Sequence, residues 1–564
     1  MSLIPTTTLN ITPAAPAPIV VPGLGGDDVL AASLALTTES PVTLPGMVRP
    51  FLAHQGAALI AAEASITRWN ACLLGDDMGL GKSAVMIGLA VKHATPGHPA
   101  LVIAPPVTRY GWITELRAMF PQMTIDFLNG RTRKDVPAAD VLFINDDPQT
   151  MAAWLTDISK VDRGGKKVTV YTASDIAKSA SIIIRDEIHR DKGNNGRPGT
   201  RGHVMLALGE HARNAQVPIV GATGTLLTNR PVEAFIPLQV LGGEDLVKAV
   251  TPGAQRMSAF LYRYCGASTT QFGTSFDGVT MENIGALHEY LRRSVYIRRE
   301  KGDLGEALPH AGWVVLPLAI QSSEAMRRYT RIEREFLTLM EEEKGPAAAW
   351  RMSRAEAICK MQKLWEEAGV AKVPATVEYV SDLVMDGDQV VVFYNHQVVH
   401  DALQAGFAKA GITTASINGK VTGDNRTETI VDFQNGDTNV ILAQVKAAGM
   451  GVTLTAACHA VFIQTGWSAG DLKQCADRIY RCDDITKQRA LDGGSVTWHV
   501  LQAAHANGDP SFDMAMWAVL EKKAKVCDGI NAGMDVTMPD EAVMKMAMEA
   551  WYDTALQNRH KLGL

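Results

Sequence analysis

The stretch Leu73-Leu74-Gly75-Asp76-Asp77-Met78-Gly79-Leu80-Gly81-Lys82-Ser83 constrains this chain most. Two apolar residues close a strand, a glycine-rich turn follows, and Ala84 to Val91 reads as an apolar helix. A strand, a glycine turn and a helix in that order build an anion-binding loop. Glycines let backbone N–H groups turn toward phosphate oxygens, and the helix points its positive end at them. In that reading Asp77, Met78, Gly79, Leu80 and Gly81 form the cradle, Lys82 reaches the β- and γ-phosphates, and Ser83 holds Mg²⁺. The strict pattern G-x-x-x-x-G-K-[ST] has glycine where this chain has Asp76. A plain glycine turn between a strand and a helix fits the same residues.

The chain has 564 residues, room for several domains, with 46% apolar and 20% charged residues, so sizeable cores are expected. A net charge of −6 excludes a uniformly basic nucleic-acid binder; any polyanion site must be a local patch. The seven cysteines are scattered without a C-x-x-C pair, which argues against a structural zinc site and suits a reducing compartment. No run approaches the roughly 20 apolar residues of a membrane span, and no secretory signal is visible. The expected setting is therefore cytoplasmic.

Residues 1–40, rich in Pro, Thr and Ala, read as a flexible tail. A helical segment from Arg49 toward Glu63 is expected to set Gln55 beside a bound purine, or to be an ordinary surface helix. Over residues 41–245, Leu101–Ala104, Val141–Ile144, Val168–Tyr171, Ile182–Ile184 and Val217–Val220 read as strands alternating with helices. Short runs apolar on both faces predict a doubly wound parallel sheet with ligands at the strand C-terminal ends. Residues 246–375 read as a mostly helical insertion or linker. Residues 376–508 form a second alternating region, with strands at Val390–Phe393, Val440–Ala443, Ala460–Ile463 and Val496–Leu501. Residues 509–564 read as helices. The expected fold is α/β, with two lobes, a cleft, a helical insertion and C-terminal helices.

Three further stretches carry chemistry. Asp186-Glu187-Ile188-His189 follows an apolar strand: Asp186 can hold Mg²⁺, Glu187 can polarise the attacking water, and His189 can link the site to neighbouring loops. A polar helix start reads the same way. Thr223-Gly224-Thr225 can sense phosphate through its hydroxyls, or cap a helix. Arg478 and Arg481, three apart, share a face if helical and can reach a γ-phosphate; an exposed salt-bridged helix is the alternative.

These stretches, in this order over residues 45–530, resemble the Swi/Snf-type ATPases of helicase superfamily two, and most closely their annealing-helicase branch. Asp76–Ser83 is similar to the family's phosphate loop, which also begins with an acidic residue. Leu101–Pro106 with Trp112, Asp186–His189, Thr223–Thr225 with Asn229-Arg230-Pro231, and Ile297-Arg298-Arg299 with Pro309 resemble its successive motifs. So do Val391–Phe393 with Ile417–Gly419, Gly449–Thr453, and Gln474–Arg481. The resemblance implies two RecA-like lobes and ATP with Mg²⁺ as cofactors. It adds Gly451 and Gln474 to the nucleotide contacts and makes Lys82, Asp186, Glu187, Arg478 and Arg481 the catalytic set. It implies a DNA-dependent ATPase that translocates on double-stranded or branched DNA. The rival readings are an RNA or single-strand helicase and an ATP-gated DNA clamp with negligible turnover. Candidate DNA contacts are Arg190, Lys192, Arg197, Arg201, Arg298 and Arg299. Three departures stand out: Cys482-Asp483-Asp484 after the last arginine, Arg185 before the acidic pair, and an apparent insertion over 141–167. The economy of the chain would suit a phage or mobile-element protein working at the nucleoid.

Overall fold

The computed structural model describes residues 33–37, 41–133, 135–193, 196–224, 226, 231–253, 256–270, 273–276, 283–319, 323–342, 354–419, 421, 424–448, 452–465, 469–504, 511–518 and 520–521. The chain forms two compact units that divide between Gly305 and Glu306. No described helix is long and apolar enough to cross a membrane.

The first unit is built on β1 (Ala71–Leu74), β2 (Ala100–Ala104), β3 (Ile125–Leu128), β4 (Val141–Asn145), β7 (Ile182–Asp186), β8 (Ile219–Ala222) and β11 (Tyr296–Ile297). They form one sheet in the order β11-β1-β8-β7-β2-β4-β3, every pair parallel. Period-two alternation divides its residues between two cores. Leu73, Leu101, Ile103, Leu142, Ile144, Ile183 and Ile219 pack on one face. Cys72, Leu74, Val102, Phe143, Ile184 and Val220 pack on the other. A sheet apolar on both faces needs helices on both, which the alternating sequence supplies. Helices α1 (Ala53–Trp69), α2 (Lys82–His93), α3 (Thr200–Ala215) and α4 (Phe235–Ala249) are among them.

The second unit repeats the plan with β12 (His310–Ala319), β13 (Val390–Tyr394), β14 (Thr414–Ile417), β15 (Val440–Gln444), β16 (His459–Phe462) and β17 (Ser495–Ala504). Their order is β12-β17-β16-β13-β15-β14, again all parallel. The long helix α5 (Arg354–Met385) packs here, and its buried Lys372 donates to Asp513 at 2.6 Å and to the Leu501 carbonyl at 2.8 Å. That contact fixes the start of the helix near Asp513; of the stretch 509–564 expected to be helical, residues 522–564 lie outside the described residues.

Three expectations change. Val168–Tyr171 is not a strand of the main sheet. It belongs to an antiparallel ribbon of β5 (Thr156–Arg163) and β6 (Lys166–Ala173), turned at Gly164-Gly165. Its alternating polar residues leave most of the ribbon exposed, unlike the fully buried inner strands β1, β2, β7 and β8. Val141–Asn145, expected inside an insertion, is an inner strand between β2 and β3, so the excursion is confined to the ribbon. The expected helical stretch 246–375 also contains an antiparallel pair, β9 (Ala267–Thr270) and β10 (Gly273–Phe276), and supplies β11 to one sheet and β12 to the other. A two-residue strand is too short to show a period.

Close packing of α3 on α4 rests on Gly209, where an added Cβ would lie 2.2 Å from the Val240 carbonyl oxygen. Alanine in a helix gains about 1 kcal/mol over glycine, but a backbone carbonyl cannot rotate aside, and overpacking costs about 1–3 kcal/mol. Gly209→Ala is expected to lower stability in urea unfolding despite its better helix propensity; a rise in the unfolding midpoint would contradict this packing.

Candidate active site

Strand order places the chemistry. Sheet register puts Leu74 opposite Ala222, and Ala222 opposite Asp186. The phosphate-loop stretch, the Thr223 loop and the acidic pair therefore leave three adjacent strands at their C-terminal ends, where open parallel sheets bind ligands.

The loop is shaped by glycines where side chains cannot fit. Gly79 and Gly81 have φ of +84° and +82°. A Cβ on Gly75 would fall within the Tyr296 ring, 1.9 Å from its nearest atom. Asp76, in the position of the missing glycine, accepts the Arg299 N–H at 2.8 Å and faces its guanidinium at 3.3 Å. Lys82 donates to the Asp76 and Asp77 carbonyls at 2.7 and 3.2 Å, so it lies along the inside of the loop. Burial pulls its pKa down, against the charges of Glu187, Asp76, Asp77 and Asp186. Ser83 follows on the first turn of α2. Gln55 sits on α1 and presses on Gly81; its amide donates to the Leu80 carbonyl at 3.4 Å and accepts the Leu52 N–H at 3.1 Å. His54 Nε2 reaches the same carbonyl at 2.8 Å, a loop contact the sequence reading missed. Met78 packs on Gly224, whose added Cβ would come within 2.6 Å of it.

Asp186 is buried, with the Trp112 indole N–H 3.5 Å from its carboxylate. Burial, and then the Glu187 charge, push its pKa well above the carboxylate range. Glu187 adopts a left-handed backbone, φ +56°, a conformation uncommon outside glycine and asparagine. His189 Nδ1 lies 3.2 Å from Glu187 Oε2 and 2.9 Å from the Thr223 hydroxyl, joining the acidic pair to the β8 loop. Thr225 lies outside the described residues.

Behind this motif stands Arg185, fully buried. Its guanidinium grips Asp191 through two bonds of 2.8 Å, lies 3.3 Å from Asp146, and donates to the Asp186 carbonyl at 2.5 Å. Burial opposes its charge, but Asp191 and Asp146 more than restore it. Arg185 thus braces the peptide that carries both acidic residues. Spacing gave no sign of this, because its partners arrive from the β4 end and from a short 3-10 turn.

The proposed DNA contacts divide. Arg298 and Arg299 are corrected: both are buried, Arg298 donating to the Gly75 carbonyl at 2.9 Å and pairing with Glu300 at 3.1 Å, Arg299 holding Asp76. Side chains spent inside the loop cannot also lie on a phosphate backbone. Arg190 pairs with Asp146 at 3.1 Å, Lys192 with Glu233 at 2.9 Å, and Arg201 donates to the Asp146 carbonyl at 2.7 Å. Arg197 is exposed.

In the second unit, α6 (Ala469–Ala476) carries Gln474 and ends before the arginines. Arg478 and Arg481 therefore do not share a helix face. They converge through the following turn, both donating to the Val452 carbonyl, at 3.3 and 2.8 Å. Arg426, unremarked in the sequence, donates to the Ala447 carbonyl at 2.7 Å and feels the charge of Arg478. Burial and then Arg478 pull Arg481 down to about 9. Crowded guanidiniums of this kind are relieved by an anion. Gly451 lies outside the described residues.

Two measurements test these electrostatics. Asp191→Ala leaves a buried guanidinium short of its partner and should cost on the order of 3–5 kcal/mol in urea unfolding; an unchanged midpoint would remove the brace. A carboxyl whose native pKa is raised loses stability as pH climbs from its unfolded pKa through its native one. Asp186→Asn should therefore raise the melting temperature of the metal-free protein at mildly alkaline pH, with the gain vanishing at acid pH below the ordinary carboxylate pKa. A lower melting temperature at alkaline pH would contradict the raised pKa.

Residues 52–194 match the SNF2-related domain, and residues 372–483 match the helicase conserved C-terminal domain. The human DNA annealing helicase and endonuclease ZRANB3 is 26% identical over 82% of this chain and 39% of its own length. The SWI/SNF-related matrix-associated actin-dependent regulator of chromatin subfamily A-like protein 1 of Xenopus tropicalis is 26% identical over 82% of this chain and 43% of its own length. The chain thus spans less than half the length of these curated relatives. Among solved structures, a Sulfolobus solfataricus SWI2/SNF2 ATPase core in complex with double-stranded DNA covers 90% of this chain and 98% of its own, at 16% identity and a TM-score of 0.35. The chain thus carries an SNF2-related domain followed by a helicase conserved C-terminal domain, and in this it is similar to the SNF2-related, helicase-type ATPases.

Proposed function

We propose that this protein is an ATP-dependent motor that translocates on double-stranded or branched DNA and remodels DNA or protein–DNA complexes. The observation that carries the reading is the convergence of Lys82, Asp186, Glu187, His189 and Thr223 on three adjacent strand ends. The residues fit a magnesium nucleotide: a glycine cradle at a helix N-terminus, a buried lysine, and a carboxylate that burial disfavours until a cation neutralises it. Mg²⁺, held by Ser83 and Asp186, would supply charge neutralisation on the phosphate oxygens.

Lys82 exchanges its two loop carbonyls for phosphate oxygens. Gly79, Gly81 and their neighbours Asp77, Met78 and Leu80 present the loop to the phosphates, with Gln55 and His54 steadying it from α1. Glu187 orients and polarises the attacking water, and its left-handed backbone aims the carboxylate. His189 and Thr223 transmit the state of Glu187 to the β8 loop and so couple hydrolysis to movement. In the second unit, Arg478 and Arg481 are the proposed phosphoryl contacts, and Gln474 and Gly451 the proposed nucleotide contacts. Arg190, Lys192, Arg197 and Arg201, which follow the acidic pair in sequence, are the proposed DNA contacts of the first unit. The names of the relatives, a DNA annealing helicase among them, support DNA over RNA. The proposed setting is a DNA-containing cytoplasm, bacterial or phage-infected.

Steady-state ATP hydrolysis at fixed low salt tests this, without nucleic acid and then with duplex DNA, forked DNA, single strands or RNA. Strong stimulation by duplex or forked DNA is expected. Stimulation by RNA or single strands alone would replace the reading with a single-strand helicase. ATP binding without turnover under any condition would replace it with a clamp. Glu187→Gln should abolish turnover, by a factor of about 100 or more, while nucleotide binding persists; wild-type turnover would overturn its role.

A further inference from the structure

At the ends of the second sheet's strands opposite the Val452 loop, three different metal-ligating side chains meet. β13 and β16 run parallel with Val390 opposite His459, so Asp388, two residues before β13, lies beside Cys458 and His459. Cys458 Sγ is 3.2 Å from Asp388 Oδ1, and His459 Nε2 is 3.2 Å from Asp388 Oδ2. The sulfur, nitrogen and carboxylate ligand atoms all lie within 4.8 Å of one another. All three residues are partly exposed, so solvent ions reach them.

The second nitrogen of His459 is also engaged. Its Nδ1 lies 2.9 Å from His499 Nε2, and His499 Nδ1 lies 2.9 Å from the Tyr379 hydroxyl. The inner imidazole is therefore oriented by a partner that is itself held, the outer arrangement that metal-ligating histidines use.

We propose that Asp388, Cys458 and His459 bind a divalent cation of the zinc class. Thiolate, imidazole and carboxylate together are the donor set of zinc, whose bonds of about 2.0–2.3 Å place tetrahedral ligand atoms roughly 3.3–3.6 Å apart. The observed separations need only small side-chain rotations to reach that spacing. Three protein ligands leave a fourth position for water or an added group. On binding, the Cys458 thiol loses its proton to solvent. The neutral His459 moves its proton from Nε2 to Nδ1 and donates it to His499 Nε2, while His499 donates from Nδ1 to the Tyr379 oxygen. One proton is released per ion. Cys-x-x-Cys spacing cannot reveal such a site, because two ligands are consecutive and the third lies just before a different strand.

The test uses the full chain, freed of metal with a chelator and titrated with Co²⁺ and then Zn²⁺. A single thiolate-to-cobalt charge-transfer band, saturating at one ion per chain and reversed by Zn²⁺, is expected. The band should vanish in Cys458→Ser and persist in Cys359→Ser, a change at an exposed cysteine. Asp388→Asn and His459→Gln should each weaken zinc at least tenfold in competition with a chelating indicator. No band at several-fold excess cobalt, or a band that survives in Cys458→Ser, overturns the site. So does unchanged zinc affinity in both other variants. If Cys458→Ser does not fold, Asp388→Asn at the partly exposed position decides by the same titration.

Discussion

The first unit's site depends on how the chain from Val295 to Arg299 is laced to the phosphate loop. Backbone bonds continue the β1–β11 ladder past the strand: Leu73 donates to Val295, Gly75 to Ile297 and Asp77 to Arg299, at 2.7–2.8 Å. Tyr296 fills the space that Gly75 vacates, Arg298 reaches the Gly75 and Gly224 carbonyls, and Arg299 holds Asp76. Loops usually carry their own conformational entropy. Here the loop's path is copied from a neighbouring segment residue by residue. That is why an aspartate can replace the first glycine of the strict pattern: its carboxylate is a tether, and the turn is made by Gly79 and Gly81.

Charge is distributed unevenly in each unit. In the first, Asp76, Asp77, Asp186 and Glu187 surround one lysine, and burial makes a second negative charge at Asp186 costly. In the second, Arg426, Arg478 and Arg481 crowd a few backbone carbonyls. Such perturbed groups cluster where a ligand is to be bound, since evolution for stability alone would pair or remove them. Arg185 is the contrasting case: its charge is balanced locally and its work is to hold a peptide.

Much of this was readable in the residues. The apolar runs Leu101–Ala104, Ile182–Ile184, Val390–Phe393 and Val440–Ala443 are central strands because residues buried on both faces leave an unbroken apolar signature. Lys82, Asp186, Glu187 and His189 could be named because Lys82 closes the glycine turn after β1 and the other three lie at the C-terminal end of β7. The readings that failed depended on partners distant in sequence. Arg298 and Arg299 look like surface charges until Asp76 and Gly75 are set beside them. Arg478 and Arg481 suggested one helix face, but α6 stops at Ala476 and a turn does the aiming. Val168–Tyr171 has strand composition, yet pairs only with its own hairpin partner. Arg426 and the Asp388–Cys458–His459 group show no local pattern: helix packing brings Arg426 to the Ala447 carbonyl, and strand register brings Asp388 beside Cys458 and His459.

The β5–β6 ribbon leaves the first unit after Leu155 and returns at Ser174, whose N–H donates to the Leu155 carbonyl at 2.9 Å. Thr156 faces Ala173 across that junction, and Thr156, Ala173 and Ser174 are buried while nearly everything beyond them is exposed. The parallel sheet is complete beneath this closed neck. The tip at Gly164-Gly165 can therefore lengthen without reopening the domain, while Tyr171, stacked on His203 of α3 at 5.3 Å, keeps the base of the ribbon on the core. Diversity among related sequences should pool there, and an engineered epitope or reporter inserted at Gly164-Gly165 would travel with a scaffold indifferent to its cargo.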